Sequence, residues 1–243
     1  MLYSPLHIVI QYYHNLIILI QIEFEFLLNQ MDLDERHWTG LDPKIFALNK
    51  LDIDINIFLE AYHPINTNYW DLYRENKVSK EKLRFYRLAD TFKKLKIEIG
   101  DSMIKKLSLD YIDYLSDFNN LIPGAIEILE YLDNKYNMHI ITNGFKEVQK
   151  KKLEKSTITK YFKTITISEE VGYKKPNPII FDYALKKANA INTSSLMIGD
   201  SYQADILGAI NVGINAILFN YHNIDPNDNI ISVSTLSKLS SYL

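Results

Sequence analysis

Three short stretches in the second half of the chain combine residue types that suit phosphate chemistry. They are Thr142-Asn143-Gly144, the loop Gly172-Tyr173-Lys174-Lys175-Pro176-Asn177-Pro178, and Gly199-Asp200 followed by Asp205. A hydroxyl with free backbone N–H groups at a strand tip can hold a phosphate oxygen, so Thr142, Asn143 and Gly144 are candidate phosphate ligands. A lysine held between a glycine turn and a proline can place its ammonium over a phosphate. Lys175, directly before Pro176, is that candidate, and Pro176 is expected to pre-set a helix beginning at Ile179. Two carboxylates at a strand-to-helix junction make a hard-oxygen site suited to Mg²⁺. Asp200 would be the ligand, with Asp205 supporting it or its waters. Each stretch also has a purely structural explanation: an Asn-Gly turn, an exposed Lys-Lys loop, and an aspartate capping a helix.

The elements that must position these residues are legible after Pro123-Gly124. Apolar strands over Met138–Ile141, Thr164–Ile167, Leu196–Ile198 and Ala216–Phe219 alternate with helices over Ala125–Leu132, a Lys-rich stretch, Ile179–Ala190 and Ala204–Asn211. Strands apolar on both faces and separated by helices imply an α/β, doubly wound (Rossmann-like) parallel sheet covered on both sides. Ligands bind such sheets at the carboxyl ends of the strands. The three stretches fall at successive strand ends, and their order makes the combination more specific than any one of them. The run Lys150-Lys151-Lys152 is expected to be a solvated helix face.

From Asp42 to Phe118 the pattern is helical and no strand is expected. Tyr62, Ile65 and Tyr69 recur at helical spacing, extended by Trp70 and Tyr73. Ser79 is a plausible N-cap for a helix with Leu83, Tyr86, Leu88 and Phe92 on its apolar face. Gly100-Asp101-Ser102 restarts the chain into a helix carrying Ile104, Leu107, Tyr111 and Tyr114. The segment is a small all-helical insert.

Composition narrows the function classes. The chain has 243 residues, enough for one large domain or a core with an insertion. It has no cysteine, which excludes disulfides and thiolate chemistry and fits a cytoplasmic location. The formal net charge is −3 and no face is basic enough for nucleic acid. An apolar stretch from Ile8 to Leu28, centred on Leu16–Ile20, contains Glu23 and Glu25. Each carboxylate costs roughly 2.5–3.5 kcal/mol in a membrane, so the stretch reads as core strand or helix and not as a span. No specific protein partner is readable.

The three stretches together resemble the haloacid dehalogenase-like superfamily. IITNGFKEVQKKKL, VGYKKPNPIIFDYAL, MIGDSYQADILGA and FLEAYHPINTNYWDLYRENKVSKEKLRFYRL are similar to its YjjG-type pyrimidine 5′-nucleotidase branch. The resemblance implies Thr142 as the second-motif hydroxyl, Lys175 as the third-motif lysine, and Asp200 with Asp205 as the acidic fourth motif. It further implies a Mg²⁺ cofactor, a small phosphate-ester substrate such as a nucleotide, and an aspartyl-phosphate intermediate. The implied organisation is a divergent N-terminal segment over 1–44, which should carry the first strand, a helical cap over 45–118 and an α/β core over 119–243.

The family's first motif, an apolar strand ending in Asp-x-Asp, is absent in its usual form. If His7–Ile10 is the first strand, Gln11 and Tyr13 stand where the two aspartates belong, and Asn15 where a threonine does. Asp32-Leu33-Asp34 has the right spacing, but Asn29-Gln30 interrupt the apolar run before it. Residues 1–44 are thus expected to be divergent or out of frame relative to an intact relative. The alternative function is a phosphate- or nucleotide-binding protein without the nucleophile.

Overall fold

A computed structural model describes residues 17–21, 49, 51, 53–115, 121–220, 225–226 and 230–243. Contacts divide the chain into two compact units, Met1–Leu28 with Asn120–Leu243, and Asn29–Asn119.

The first unit is built on a parallel sheet of six described strands: β1 (Ile17–Gln21), β2 (Asn137–Thr142), β3 (Phe162–Ile167), β4 (Ser195–Gly199), β5 (Asn215–Phe219) and β6 (Ile231–Val233). Their spatial order is β3-β2-β1-β4-β5-β6, every pairing parallel. The chain steps outward from β1 through β2 to β3. It then crosses back beside β1 to β4 and steps outward the other way. The reversal puts a topological switch point at the carboxyl ends of β1 and β4, where Gln21 pairs with Gly199.

The central position belongs to IILIQ, inside the run that the sequence left open as strand or helix. Three isoleucines and a leucine suit a strand paired on both edges. His7–Ile10, Gln11, Tyr13, Asn15, Asp32 and Asp34 lie outside the described residues.

Helices flank the sheet: α4 (Ala125–Asp133), α5 (Lys146–Ser156), the short α6 (Ser168–Val171), α7 (Pro178–Ala188) and α8 (Gly208–Asn211); α1–α3 belong to the second unit. Ile180, Phe181, Ala184 and Leu185 of α7 pack with Ile141, Met197, Ala209 and Ile214 in one buried cluster. Gly208 permits this packing, since a Cβ there would lie 2.8 Å from Phe181 Cζ and 3.1 Å from Pro176 Cα. Helix α7 begins at Pro178, capped by the Asn177 side chain, which accepts from Ile179 N at 3.0 Å. Pro178 thus takes the first helical position that Pro176 was expected to prepare. The helix expected over Ala204–Asn211 is a π-helical turn, Tyr202–Leu207, running into α8. Strand β6 and the 3-10 turn Leu236–Ser241 are too short for periodicity to reveal.

The lysine run of α5 also departs from expectation. Lys150 and Lys151 are exposed, but Lys152 is fully buried with Val148, Gln149, Leu153 and Ser156. Helical period carries every fourth position inward whatever its residue type.

His139 makes the sheet sensitive to pH. Its Nδ1 lies 2.8 Å from Thr164 Oγ1, and its buried Nε2 has no hydrogen-bond partner among the described residues. Burial, reinforced by Lys163, lowers its pKa. The unfolded chain therefore takes up this proton first, near pH 6.5. The contribution is complete above that pH and is lost as pH falls toward the depressed folded value. Urea unfolding should show stability falling below about pH 6.5, by at most about 1.4 kcal/mol per pH unit from this group. His139→Gln should remove that part of the slope.

The second unit contains α1 (Ile55–Arg74), α2 (Lys80–Lys94) and α3 (Asp101–Leu115). Asp54 caps α1 and Ser79 caps α2. Leu83, Leu88 and Phe92 face inward, whereas Tyr86 is exposed and Arg87 takes the interior position beside it. Asn66 explains how a guanidinium is accommodated there. Its Oδ1 accepts from Arg87 Nη1 at 3.0 Å and from Tyr62 Oη at 3.2 Å, while Arg87 lies 4.4 Å from the centre of the Tyr111 ring. Tyr69 donates to Asp90 at 2.5 Å, and burial together with that carboxylate raises the phenol pKa.

Candidate active site

The tip of β4 organises the site. All five residues of β4 are buried, and Asp200 follows directly and is half-buried. The chain then turns through Ser201, whose Oγ accepts from Ala204 N at 3.2 Å. Ser201, not an aspartate, is the cap of this turn. Asp205 therefore points back toward the strand, with Oδ2 accepting from Ser201 N at 3.0 Å. Gly199 makes room for it. A Cβ on Gly199 would stand 2.5 Å from Asp205 Cβ and 2.6 Å from its Oδ2. Gly199→Ala is thus expected to destabilise the fold by about 1–3 kcal/mol through overpacking, read as a lower urea midpoint.

The second oxygen of Asp205 fixes the lysine. Lys175 Nζ donates to Asp205 Oδ1 at 2.6 Å, and both residues are 1% exposed. The lysine reaches this position from a tight loop. Gly172 ends α6 in the left-handed region at φ 85°, and Asn177 N donates to Lys174 O across the turn. The Lys175–Pro176 bond is cis. Lys174, the neighbour in the pair of lysines, is half-buried, and desolvation by that burial lowers its pKa.

Asn143 joins this loop to β2. Its Nδ2 donates to Lys175 O at 3.0 Å and its Oδ1 accepts from Lys175 N at 2.9 Å. The carboxamide thus pairs with the lysine backbone as a neighbouring strand would. Thr142, the last residue of β2, is buried, and its Oγ1 accepts from Gly144 N at 3.0 Å. With a lone pair occupied by that N–H, the hydroxyl keeps its own hydrogen for an acceptor beyond the strand tip. Gly144 is not in the positive-φ region, so an Asn-Gly turn does not account for it. Glu169 and Glu170 brace the start of α5. Lys146 N donates to Glu169 Oε2 at 3.2 Å, and Lys146 Nζ lies 2.9 Å from Glu170 Oε1. Lys146 and its neighbouring charges lower the Glu170 pKa.

Thr142, Asn143, Lys175 and Asp205 are therefore linked through one chain of contacts, with Asp200 leaving the tip of β4, across β1 from β2. Both oxygens of Asp205 are engaged by protein donors, Lys175 Nζ and Ser201 N. No group of three or more metal-ligating side chains occurs among the described residues. Sequence reasoning did not single out Ser201, Glu169 or Gln149. The Ser-x-x-Ala spacing at 201–204 was the available signal for Ser201; nothing local marked the other two.

A doubly wound sheet with these motifs at consecutive strand ends belongs to a defined class of hydrolase. The chain is a member of the haloacid dehalogenase-like hydrolase family, whose family model matches residues 49–219. It is 32% identical to pyrimidine 5′-nucleotidase YjjG of Escherichia coli over 214 residues, 86% of this chain and 92% of that protein. It is 30% identical to pyrimidine 5′-nucleotidase PynA of Streptococcus pneumoniae over 174 residues, 71% and 72% of the two chains. Among solved structures, the magnesium-bound HAD-hydrolase YfnB of Bacillus subtilis shares the fold. Its TM-score is 0.78 at 22% identity, covering 93% of this chain and 98% of that one.

Proposed function

We propose that the chain is a Mg²⁺-dependent hydrolase of small phosphate monoesters, with pyrimidine nucleoside 5′-monophosphates as the leading substrates. The observation that carries this reading is the buried Lys175–Asp205 pair at 2.6 Å, held at the switch point beside Asp200. A fixed ammonium with no freedom to follow solvent is a preorganised partner for phosphate charge. Thr142 would donate its hydroxyl to a phosphate oxygen, and Asn143 would keep Lys175 in place through its backbone. The nucleotidase relatives supply the choice of substrate.

The donor set fits Mg²⁺. This ion keeps several waters and binds through one or two carboxylates with substrate phosphate, so Asp200 is a sufficient described anchor. When bound, the ion would neutralise charge on the phosphate oxygens during transfer. We read the helical unit, α1–α3, as the cap that selects substrate, and the location as cytoplasmic.

The family reaction uses a carboxylate that attacks phosphorus and is then released by water. One observation favours a second reading, phosphate binding without turnover. The central strand ends at Gln21, and the sequence continues Ile22-Glu23-Phe24 without an aspartate. Phosphate release from a nucleotide panel with and without Mg²⁺ separates the readings. Release above a Lys175→Met control supports hydrolysis. Binding of inorganic phosphate without release supports the second reading. A chain that neither binds nor releases phosphate would refute both.

A further inference from the structure

The inward face of α5 carries Gln149, which is 3% exposed. A Cβ built on Gly144 would lie 2.1 Å from Gln149 Nε2, 2.7 Å from its Cδ and 3.0 Å from its Cγ. The carboxamide thus occupies the space that any side chain at position 144 would need. Gly144 has no positive φ to explain its residue type, so the glycine is there for close approach. Its backbone N–H is the group that donates to Thr142 Oγ1. Gln149 therefore touches the residue that orients the Thr142 hydroxyl. Its Oε1 is buried without a hydrogen-bond partner among the described residues. The carboxamide is thus held against the loop by packing and not by a bond of its own at that oxygen.

We propose that Gln149 is a positioning residue of the phosphate loop, bracing Gly144 so that the Thr142 hydroxyl presents its hydrogen to a bound phosphate. This rests on the phosphate-binding reading of the same site. Small displacements of such groups are costly, since a misplacement of about 1 Å can cost about 100-fold in rate.

The test is calorimetric titration of the full chain with inorganic phosphate in the presence of Mg²⁺, at a temperature where each variant is folded. Gln149→Ala should weaken phosphate binding at least about tenfold. Gln149→Met refills the volume and should stay within about threefold of the parent chain. Gly144→Ala should also weaken binding, and adding Gln149→Ala to it should recover part of the loss by removing the clash. If Gln149→Ala does not fold, Gln149→Val takes its place both as the single variant and beside Gly144→Ala, with the same expected outcomes. Parent-like binding by folded Gln149→Ala, or a Gly144→Ala defect that Gln149→Ala leaves unchanged, overturns the proposal. If the parent chain binds phosphate no better than Lys175→Met, the functional reading fails and this proposal falls with it. That result is distinguishable because it appears in the parent chain alone.

Discussion

Lys175→Met is expected to abolish phosphate binding and to lower the stability of the core by about 3–5 kcal/mol. Both effects have one cause. The Asp205 carboxylate is 1% exposed and meets Lys175 Nζ at 2.6 Å. Without the ammonium, its charge stays buried while the Ser201 N–H still donates to it. A buried ion pair contributes less as a whole than the loss of one partner suggests, because the remaining charge is stranded. Lys175→Met combined with Asp205→Asn should therefore recover most of the stability, since an amide can still accept from Ser201 N. It should not recover phosphate binding, which needs the positive charge. Urea unfolding and phosphate titration of the two variants check both halves. A single variant as stable as the parent chain, or a double variant no better than the single, would show that the pair is not coupled as described.

The second large effect concerns the attacking group. At the carboxyl edge of the described sheet, Asp205 is engaged by Lys175, and Asp200 is the proposed cation ligand. Gln21 ends β1 opposite Gly199, and an amide cannot attack phosphorus. Between Gln21 and Lys44, the carboxylates spaced with one residue between them, as the family's first motif needs, are Glu23 with Glu25 and Asp32 with Asp34. Converting all four to their amides is expected to lower phosphate release by about 10³-fold or more, the scale seen when a nucleophile is removed. Binding of inorganic phosphate should stay within a few-fold, because Thr142, Lys175 and Asp200 are untouched. The four single variants then identify the residue. Unchanged release from the fourfold variant would rule out an attacking carboxylate among these four.

The parallel core was legible because its strands are short apolar runs between helices, and burial on both faces leaves little choice of residue type. The placement of Thr142, Lys175 and Asp200 was legible because each follows from a loop or strand tip at the carboxyl edge. What was not legible depends on contacts between segments distant in sequence. Asn143 reads locally as a phosphate ligand, but its carboxamide pairs with the Lys175 backbone, 32 residues away in sequence. Asp205 reads as a helix cap or a metal ligand, yet its spacing from Asp200 says nothing of a lysine 30 residues earlier. Lys152 follows two exposed lysines, and only helix phase turns it inward. HIVI and LIILI are equally good strands locally, so the sequence alone does not choose between them. Pairing with both β2 and β4 selects the second, and register is a property of the sheet.

If Lys175, Asp205, Thr142 and Asp200 form one site for phosphate and a divalent cation, hydrolysis must depend on both the ammonium and the metal. The most direct test is phosphate release from uridine and thymidine 5′-monophosphates by the full chain, with Mg²⁺ and with chelator, beside Lys175→Met. The expected result is Mg²⁺-dependent release by the parent chain that chelator removes and Lys175→Met lacks. Release that is equal in the parent chain and Lys175→Met, or indifferent to chelator, would contradict it.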